Sequence, residues 1–460
     1  MKKEHTKFKF EVSTTLVIAL SFLLTILIGS LLLMLPISSA NGTSTPFLTS
    51  LFTATTSVCV TGLVVENTFE YFSTFGHVII LTLIQIGGLG IITFSTSVMM
   101  LLHKKVSLKD RLLLQDAFNL STMSGLVRFV KKVIFGTFLI ESFGAFLYCF
   151  TFIPEFGLKR GLWISVFNSI SAFCNAGIDI IGPSSLAPYI TNINVNLTTM
   201  FLIFMGSLGF IVWFDIENVI KLIKKKTIHR NYFWKSLTLH TKIVLTTTFS
   251  LIVFGAIFIF ALEYTNPETI GNLSFGEKIL ASFFESVTTR TAGFLTFSQK
   301  AMRDSTALIC LILMFVGGSP VGTAGGVKTT TFALVIISAL SAIRGEEHGI
   351  AFSRRLPTKT MRKALAVILI SLSAAFIAII LLITFNGGDI VDIMFEVISA
   401  ICTVGLTRDF TSTLNTFGKI IIIISMYLGR IGPISLALIF SSKESKYGLA
   451  TYPKEDITVG

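Results

Sequence analysis

The feature that most constrains this chain is a short, half-polar segment that ends in glycine and occurs four times. Each copy has a Phe ten positions before the Gly and a large apolar residue directly after it. The copies run from Phe52 to Gly62, Phe167 to Gly177, Phe283 to Gly293 and Phe395 to Gly405. Neighbouring glycines lie about 115 residues apart, so four units of this period fill the chain. We therefore expect four tandem repeats.

The composition predicts an all-α polytopic membrane protein. Of the 460 residues, 52% are hydrophobic and only 13% are charged, which is too apolar for the surface of a soluble protein. Apolar runs at residues 16–35, 78–102 and 420–440 reach the ~20 residues that a helix needs to cross a bilayer. The first run is longer than the ~7–15 residues of a signal-peptide core, so we interpret it as the first membrane helix.

The basic residues are grouped in a way that predicts membrane topology. The net charge is +12, and most of the 37 Lys and Arg residues fall in five clusters. The clusters lie at the chain ends and in every second connection, at residues 2–9, 104–132, 221–242, 344–363 and 443–454. This is the positive-inside pattern, and it places both termini in the cytoplasm. It explains the positive charge without a nucleic-acid partner.

Each repeat is predicted to contain a long helix, a short helix, a loop and a second long helix. The second long helix is predicted to be uninterrupted in every repeat except repeat three. The repeats cover residues 1–103, 104–225, 226–345 and 346–460, the last including a cytoplasmic tail. The short helices have about 13 residues or fewer, and at ~1.5 Å per residue they cannot span ~30 Å of hydrocarbon. We expect them to be re-entrant, which brings all basic clusters to the cytoplasmic side.

Four re-entrant loops predict a pore. Lipid cannot satisfy backbone carbonyls at membrane depth, so such loops must be buried in protein or line a water-filled path. One loop per repeat suggests a ring around a pseudo-fourfold axis, where carbonyls can replace the hydration shell of a monovalent cation. Glycine lets a carbonyl turn inward without a Cβ clash. Four helix-terminating turns would explain each Gly separately but not the regular spacing.

The second long helix of repeat three is predicted to be broken at residues 317–328. Several glycines and a proline there cannot continue a helix, and a non-helical loop at membrane depth needs a cavity to line. We expect this loop to lie across the pore below the ring. One alternative is a flexible kink without a gating role. Another is a phosphate-binding loop at residues 322–329, but Val327 stands where the Gly before the lysine belongs and no buried strand precedes it.

Arg430 lies in the middle of the last apolar run, where a charge is costly and is expected to face a cavity or a partner. The alternative is a purely structural role on loose carbonyls. Glu285 and Glu396 lie on the short helices and are expected to form structural pairs, with Arg290 as the candidate partner of Glu285. The sequence offers no catalytic triad and no metal-ligand spacing of its six His, so we do not expect an enzyme or a metal site beyond the transported ion.

The four loops at residues 55–63, 173–177, 288–294 and 400–406 resemble the filter loops of the Trk/Ktr/HKT potassium transporters. The resemblance extends from about Leu16 to the C-terminus. No extra helix precedes the first repeat, so the chain resembles the bacterial Ktr membrane subunits more than the longer Trk type. This implies K⁺ uptake in a bacterial cell membrane, with Na⁺ as a candidate activator. It also implies a homodimer in membrane lipid and a cytosolic nucleotide-binding regulatory ring, with no nucleotide bound by this chain.

The resemblance also implies the site residues. Those expected to coordinate K⁺ are Val60, Thr61, Gly62, Asn175, Ala176, Gly177, Thr291, Ala292, Gly293, Thr403, Val404 and Gly405. The expected gate consists of Gly317, Gly318, Ser319, Gly322, Gly325, Gly326 and Arg430. The four arms differ from one another, with Val60 and Asn175 at positions where Thr is expected.

Two function classes follow from these patterns. The first is a K⁺-conducting membrane subunit with a backbone-carbonyl filter and an intramembrane gate loop. The alternative is a secondary carrier for another cation or a small solute, which also uses broken helices near the bilayer midplane. Four parallel repeats favour the first function, because carriers typically show two inverted halves.

Overall fold

The computed structural model describes residues 14–102, 107–117, 125–346 and 348–432. The basic clusters at residues 2–9 and 443–454 lie outside these residues. In repeat one the helices are α1 (Thr14–Leu33), α2 (Phe47–Cys59), α3 (Thr68–Tyr71), α4 (Thr74–Leu89) and α5 (Ile91–Leu101). Repeat two contains α6 (Leu108–Ala117), α7 (Leu126–Phe156), α8 (Leu158–Cys174), α9 (Ile193–Ser207) and α10 (Phe210–Lys224).

The second half of the chain repeats this order. Repeat three contains α11 (Phe233–Ser236), α12 (Leu239–Glu263), α13 (Phe275–Thr288), α14 (Asp304–Phe315) and α15 (Thr329–Ile343). Repeat four contains α16 (Thr358–Phe385), α17 (Ile390–Ile401) and α18 (Thr416–Ile431). Before α16, a small antiparallel hairpin pairs β1 (Ile350–Ala351) with β2 (Arg354–Arg355). Apart from this hairpin, the regular secondary structure of the described residues is helical, as the sequence predicts.

The first helix of each repeat faces the surroundings with apolar side chains. α1, α7, α12 and α16 are long and apolar enough to cross a membrane, and the bent pairs α4–α5 and α9–α10 raise the number to six. Large exposed residues on these helices include Phe135 (72% exposed), Phe249 (70%) and Phe376 (69%). Such a surface suits a hydrocarbon solvent, where no water is available to penalise it.

The short helices α2, α8, α13 and α17 form the centre of the molecule. Each carries a fully buried Phe, and these are Phe52, Phe167, Phe284 and Phe395. In repeat three the buried Phe lies one position after the Phe of the sequence repeat, because Phe283 is 38% exposed. The reason is a shorter turn: Ala292 N donates to Thr288 O, four residues back, whereas Thr61 N donates to Thr56 O, five residues back.

The second helices of repeats one and two are not continuous, contrary to the prediction. α4 and α5 meet at 101° and α9 and α10 at 94°. The break residues are Gly90 (φ 84°) and Gly209 (φ 87°), and Gly432 (φ 90°) ends α18 in the same conformation. This left-handed region is readily available only to glycine. The apolar pattern runs through these glycines unchanged, which is why hydropathy did not reveal the breaks.

A second set of glycines explains how these helices approach the centre. Gly87, Gly206 and Gly429 each lie three residues before a break glycine. A Cβ at these positions would collide with the carbonyl oxygens of Val58, Phe173 and Ile401, which lie at the C-terminal ends of the short helices. The second helix therefore packs backbone to backbone against the end of the short helix.

We expect Gly87→Ala to destabilise the protein by roughly 1–3 kcal/mol, because the added methyl group overpacks this contact. The control is Gly276→Ala on α13, where nothing lies within 4 Å of an added Cβ. Thermal melting of both variants in detergent measures the effect. Equal melting temperatures for the two variants would contradict the backbone-to-backbone packing.

Candidate functional site

The turns that follow the four short helices share one backbone conformation. The residue two positions before each loop glycine has a positive φ: Val60 (56°), Asn175 (60°), Thr291 (67°) and Thr403 (51°). This conformation is uncommon for residues other than glycine. Val60 and Asn175 directly follow the last residues of α2 and α8, whereas Thr291 and Thr403 lie three and two residues beyond the ends of α13 and α17. The predicted site residues thus occupy equivalent turns in all four loops.

The loop glycines meet one another in chain order. A Cβ added to Gly62 would lie 2.6 Å from the carbonyl oxygen of Ala176. The same contact joins Gly177 to Ala292 O, Gly293 to Val404 O, and Gly405 to Thr61 O. Each loop therefore touches the next, and the fourth touches the first. The four loops close a ring with no room for a side chain at any of the four glycines.

Hydroxyl groups of the short helices hold the loops from behind. Thr56 Oγ1 accepts from Gly62 N at 2.9 Å, and Ser399 Oγ accepts from Gly405 N at 3.0 Å. In the other two loops the hydroxyls donate to the carbonyl after the glycine: Ser171 Oγ to Ile178 O and Thr288 Oγ1 to Phe294 O, both at 2.5 Å. These bonds satisfy buried backbone groups that the loop itself leaves unpaired.

The predicted interruption in repeat three lies directly against the ring. α14 ends at Phe315 and α15 begins at Thr329, and we call residues 316–328 the crossing loop. Thr323 is fully buried; its Oγ1 donates to Phe173 O at 2.9 Å and accepts from Asn175 Nδ2 at 3.2 Å. A Cβ on Gly325 would collide with Thr403 Oγ1. The crossing loop thus contacts at least two arms of the ring.

The unpredicted bend in repeat two supplies acceptors for this loop. Ser319 N donates to Ser207 O at 2.9 Å, and Thr323 N donates to Gly206 O at 3.1 Å. In return, Phe210 N donates to Val321 O at 3.0 Å. The bend at Gly209 frees these backbone groups from the helix, and the crossing loop pairs with them.

Two arginines hold the crossing loop from its other sides. Arg430 donates to Thr323 O at 2.8 Å through Nη1 and to Gly87 O through Nη2. Arg290 donates to Gly317 O at 2.8 Å and to Thr248 O at 3.2 Å. The expected Arg290–Glu285 pair is therefore wrong. Arg290 follows the end of α13 and so reaches toward the crossing loop.

The sequence contained a signal for Arg290. Cys59, Cys174 and Cys402 stand three residues before the loop glycine in the other repeats, and Arg290 replaces the Cys in repeat three. This is also the repeat that carries the crossing loop. The remaining predicted gate residues, Gly317, Gly318, Ser319, Gly322, Gly325 and Gly326, all lie in that loop.

A cavity of about 510 Å³ lies on the other side of the ring. All four loop glycines line it, together with the acidic residues Glu66, Asp179 and Asp409. Asp179 lies in the loop between α8 and α9, outside the membrane-spanning helices. Burial raises the pKa of Asp179 to about 6, although the hydrogen bond from Ile181 N at 3.2 Å acts in the opposite direction. The sequence did not show that these acids converge.

Comparison with known proteins gives consistent matches. The TrkH family, described as cation transport protein, matches residues 1–447. The chain is 39% identical to Ktr system potassium uptake protein B of Bacillus subtilis, covering 96% of each chain. It is 38% identical to the potassium/sodium uptake protein NtpJ of Enterococcus hirae, covering 100% of this chain and 99% of NtpJ.

A solved structure has the same fold. The potassium transporter TrkH from Vibrio parahaemolyticus superposes with a TM-score of 0.73 over 96% of this chain and 87% of that chain, at 15% identity. The resemblance inferred from the four loops is thereby confirmed. The chain belongs to the TrkH family of cation transport proteins, which are transporters and not enzymes.

Proposed function

We propose that this chain is the ion-translocating membrane subunit of a bacterial potassium uptake system. The ring of four glycine loops is the observation that carries the proposal. The relatives that are named potassium uptake proteins support K⁺ as the ion. An acidic cavity on one side of the ring attracts cations, and backbone carbonyls in the ring replace their hydration shell.

The filter in this proposal has a pseudo-fourfold axis and three residues per arm. Their backbone carbonyls coordinate K⁺, and the side chains at the turn fill the space behind them. The twelve residues are Val60, Thr61, Gly62, Asn175, Ala176, Gly177, Thr291, Ala292, Gly293, Thr403, Val404 and Gly405. The buried turn positions with positive φ support this assignment.

The crossing loop is the proposed gate. It is buried beneath the ring and contacts it through Thr323 and Gly325. Arg290 and Arg430 hold it there and place positive charge on the path of a cation. Its glycine-rich backbone can adopt a second arrangement, and an interaction of ~1–3 kcal/mol is enough to bias such a two-state element.

The relatives named as parts of a Ktr system support a regulatory partner. We propose a homodimer in the plasma membrane with cytoplasmic termini and a cytosolic nucleotide-binding ring. The basic connections at residues 221–242 and 344–363 are candidate contacts for that ring or for anionic lipid. NtpJ is named a potassium/sodium uptake protein, and this supports Na⁺ as a candidate activator.

We expect Ser in place of Gly62, Gly177, Gly293 or Gly405 to weaken the apparent K⁺ affinity about tenfold. A Cβ at a positive φ costs roughly 1–3 kcal/mol of strain, and here it also meets the next arm of the ring. Complementation and K⁺ uptake kinetics in a K⁺-uptake-deficient bacterium measure the change. Gly276→Ser is the control, and wild-type kinetics in all four filter variants would refute the carbonyl ring.

We expect a deletion of residues 322–325 to raise K⁺ flux and reduce its dependence on a regulatory partner, because it removes the contact beneath the ring. Arg430→Ala is expected to act in the same direction but less strongly. Rb⁺ flux into liposomes at matched insertion measures both. Lys419→Ala, which removes a cation from the same helix, is the control. Flux that falls or stays equal in the two gate variants would mean that the loop supports the pore and does not close it.

We expect the apparent affinity for K⁺ to fall as the external pH drops from 7.5 to about 5.5. With a pKa of about 6, Asp179 becomes protonated over this range, and the cavity loses a negative charge. Asp179→Asn is expected to show weaker affinity at pH 7.5 and a flatter pH profile. An unchanged pH profile in this variant would exclude Asp179 as the titrating group.

A further inference from the structure

Two carboxyl groups on the short helices are buried, and neither has a cationic partner among the described residues. Glu285 on α13 and Glu396 on α17 are both fully buried. Each directly follows the fully buried Phe of its short helix, Phe284 or Phe395, so the two acids occupy equivalent positions. A buried carboxyl is costly unless hydrogen bonds compensate for the lost water. Both acids accept hydrogen bonds from side chains of the segments that leave the ring.

Glu396 is bonded to the segment that leaves the ring. Thr407 Oγ1 donates to its Oε2 at 2.6 Å, and Thr411 Oγ1 donates to its Oε1 at 2.5 Å. These threonines follow Gly405 by two and six residues. Glu396 thus connects α17, which leads into loop four, with the segment that leads out of it.

Glu285 makes the corresponding connection in repeat three. Gln299 Nε2 donates to Glu285 Oε2 at 3.2 Å, and Gln299 follows Gly293 by six residues. Its other oxygen, Oε1, has no hydrogen-bond partner among the described residues. Gln299 and Thr407 both line the acidic cavity. Each carboxyl therefore ties its helix to the wall of the cavity.

Ion pairs join the two outgoing segments. Lys300, the neighbour of Gln299, pairs with Asp392, and Arg408, the neighbour of Thr407, donates to the same Asp392 at 2.8 Å. Arg408 also reaches Asp304 at 3.1 Å. Asp392 and Arg408 are buried, so removing either one leaves an uncompensated charge. The outer segments of loops three and four consequently form one cross-linked unit.

Repeats one and two lack the acid. Thr53 and Asn168 occupy the equivalent positions, directly after Phe52 and Phe167. The amide nitrogen and oxygen of Asn168 form no hydrogen bond within the part of the chain that the structure describes. The carboxyl connection is thus confined to one half of the ring.

We propose that Glu285 and Glu396 are positioning residues that fix the outer segments of loops three and four and thereby set the discrimination between K⁺ and Na⁺. The inference rests on the proposed filter function. A carbonyl ring rejects Na⁺ when its oxygens are held back from the smaller ion, by the size of the site or by the mutual repulsion of the carbonyls. Tethers on two of the four arms restrict how far those arms move inward.

The test removes the hydroxyl donors and leaves the acid in place. The double variant Thr407→Val/Thr411→Val has nearly the shape of the wild type but cannot donate to Glu396. Thr407→Ser/Thr411→Ser keeps both hydroxyls and is the matched control. In liposomes, the ratio of the Na⁺ and K⁺ concentrations that half-inhibit Rb⁺ uptake measures discrimination. We expect this ratio to fall about fivefold to tenfold in the Val double variant. In the Ser double variant we expect it to stay within about twofold of the wild-type ratio.

Repeat three provides a second arm of the test. Gln299→Leu removes the one side-chain donor to Glu285 found among the described residues. It is expected to reduce discrimination by a smaller factor than the Thr double variant, which removes two donors to Glu396. Asn168→Leu, at the position of repeat two that corresponds to Glu285, is the control and is expected to leave the ratio unchanged. If the Val double variant does not fold, Gln299→Leu and the single variant Thr407→Val decide the question.

The Gly405→Ser variant distinguishes a failure of the positioning role of Glu285 and Glu396 from a failure of the proposed filter. If Gly405→Ser changes the ratio while the Val and Gln299→Leu variants keep it at the wild-type value, the tether is refuted and the filter stands. If Gly405→Ser also keeps the wild-type ratio, the filter assignment itself fails. Equal ratios in the Val and Ser double variants would likewise overturn the role of the hydroxyls in discrimination. A change in total flux at a constant ratio would assign the hydroxyls a structural role only.

Discussion

The backbone contact between the four loop glycines is the constraint on which the rest of the structure depends. Adjacent arms are so close that a single Cβ at Gly62, Gly177, Gly293 or Gly405 would reach the carbonyl oxygen of the next arm. Such an approach requires four short helices whose ends converge, and a turn with positive φ follows each of them. It also requires buried donors and acceptors behind the ring, because loop backbone in a membrane has no water to bind. The hydroxyls of the short helices provide them.

The same requirement links the ring with the crossing loop. A loop of this length below the ring carries many backbone polar groups, and the bend at Gly209 offers it carbonyls that a continuous helix would keep for itself. Thr323 connects the crossing loop with two other parts of the molecule. Its hydroxyl bonds to Asn175 and Phe173 in arm two, and its carbonyl accepts from Arg430 on α18. A movement of the crossing loop therefore changes contacts of the proposed filter as well as those of the proposed gate.

The buried charges are distributed unequally on the two sides of the ring. Three carboxyl groups lie on the side of the cavity. Asp179 lines it, and Glu285 and Glu396 accept hydrogen bonds from residues that line it. Arg290 and Arg430 lie on the side of the crossing loop, whereas the buried Arg408 on the cavity side is paired with Asp392. In the proposed function, a cation is attracted to the first face and is opposed at the second while the crossing loop is in place. This arrangement fits a path that stays closed until the loop and its arginines move.

The sequence by itself determined the membrane class, the four loops and the interruption in repeat three, because composition, the spacing of the glycines and a glycine–proline segment are local properties. It did not determine the bends at Gly90 and Gly209, since the apolar pattern is continuous there and a glycine breaks a helix only where packing demands it. Nor did it reveal that Phe284 replaces Phe283, or that Arg290 binds the crossing loop and Glu285 binds Gln299. Those partners are distant in the chain, and they depend on where a helix ends and which segments its last turn faces. Only the tertiary structure decides that, because a side chain buried in a membrane must bond with whatever polar group the packing brings within reach.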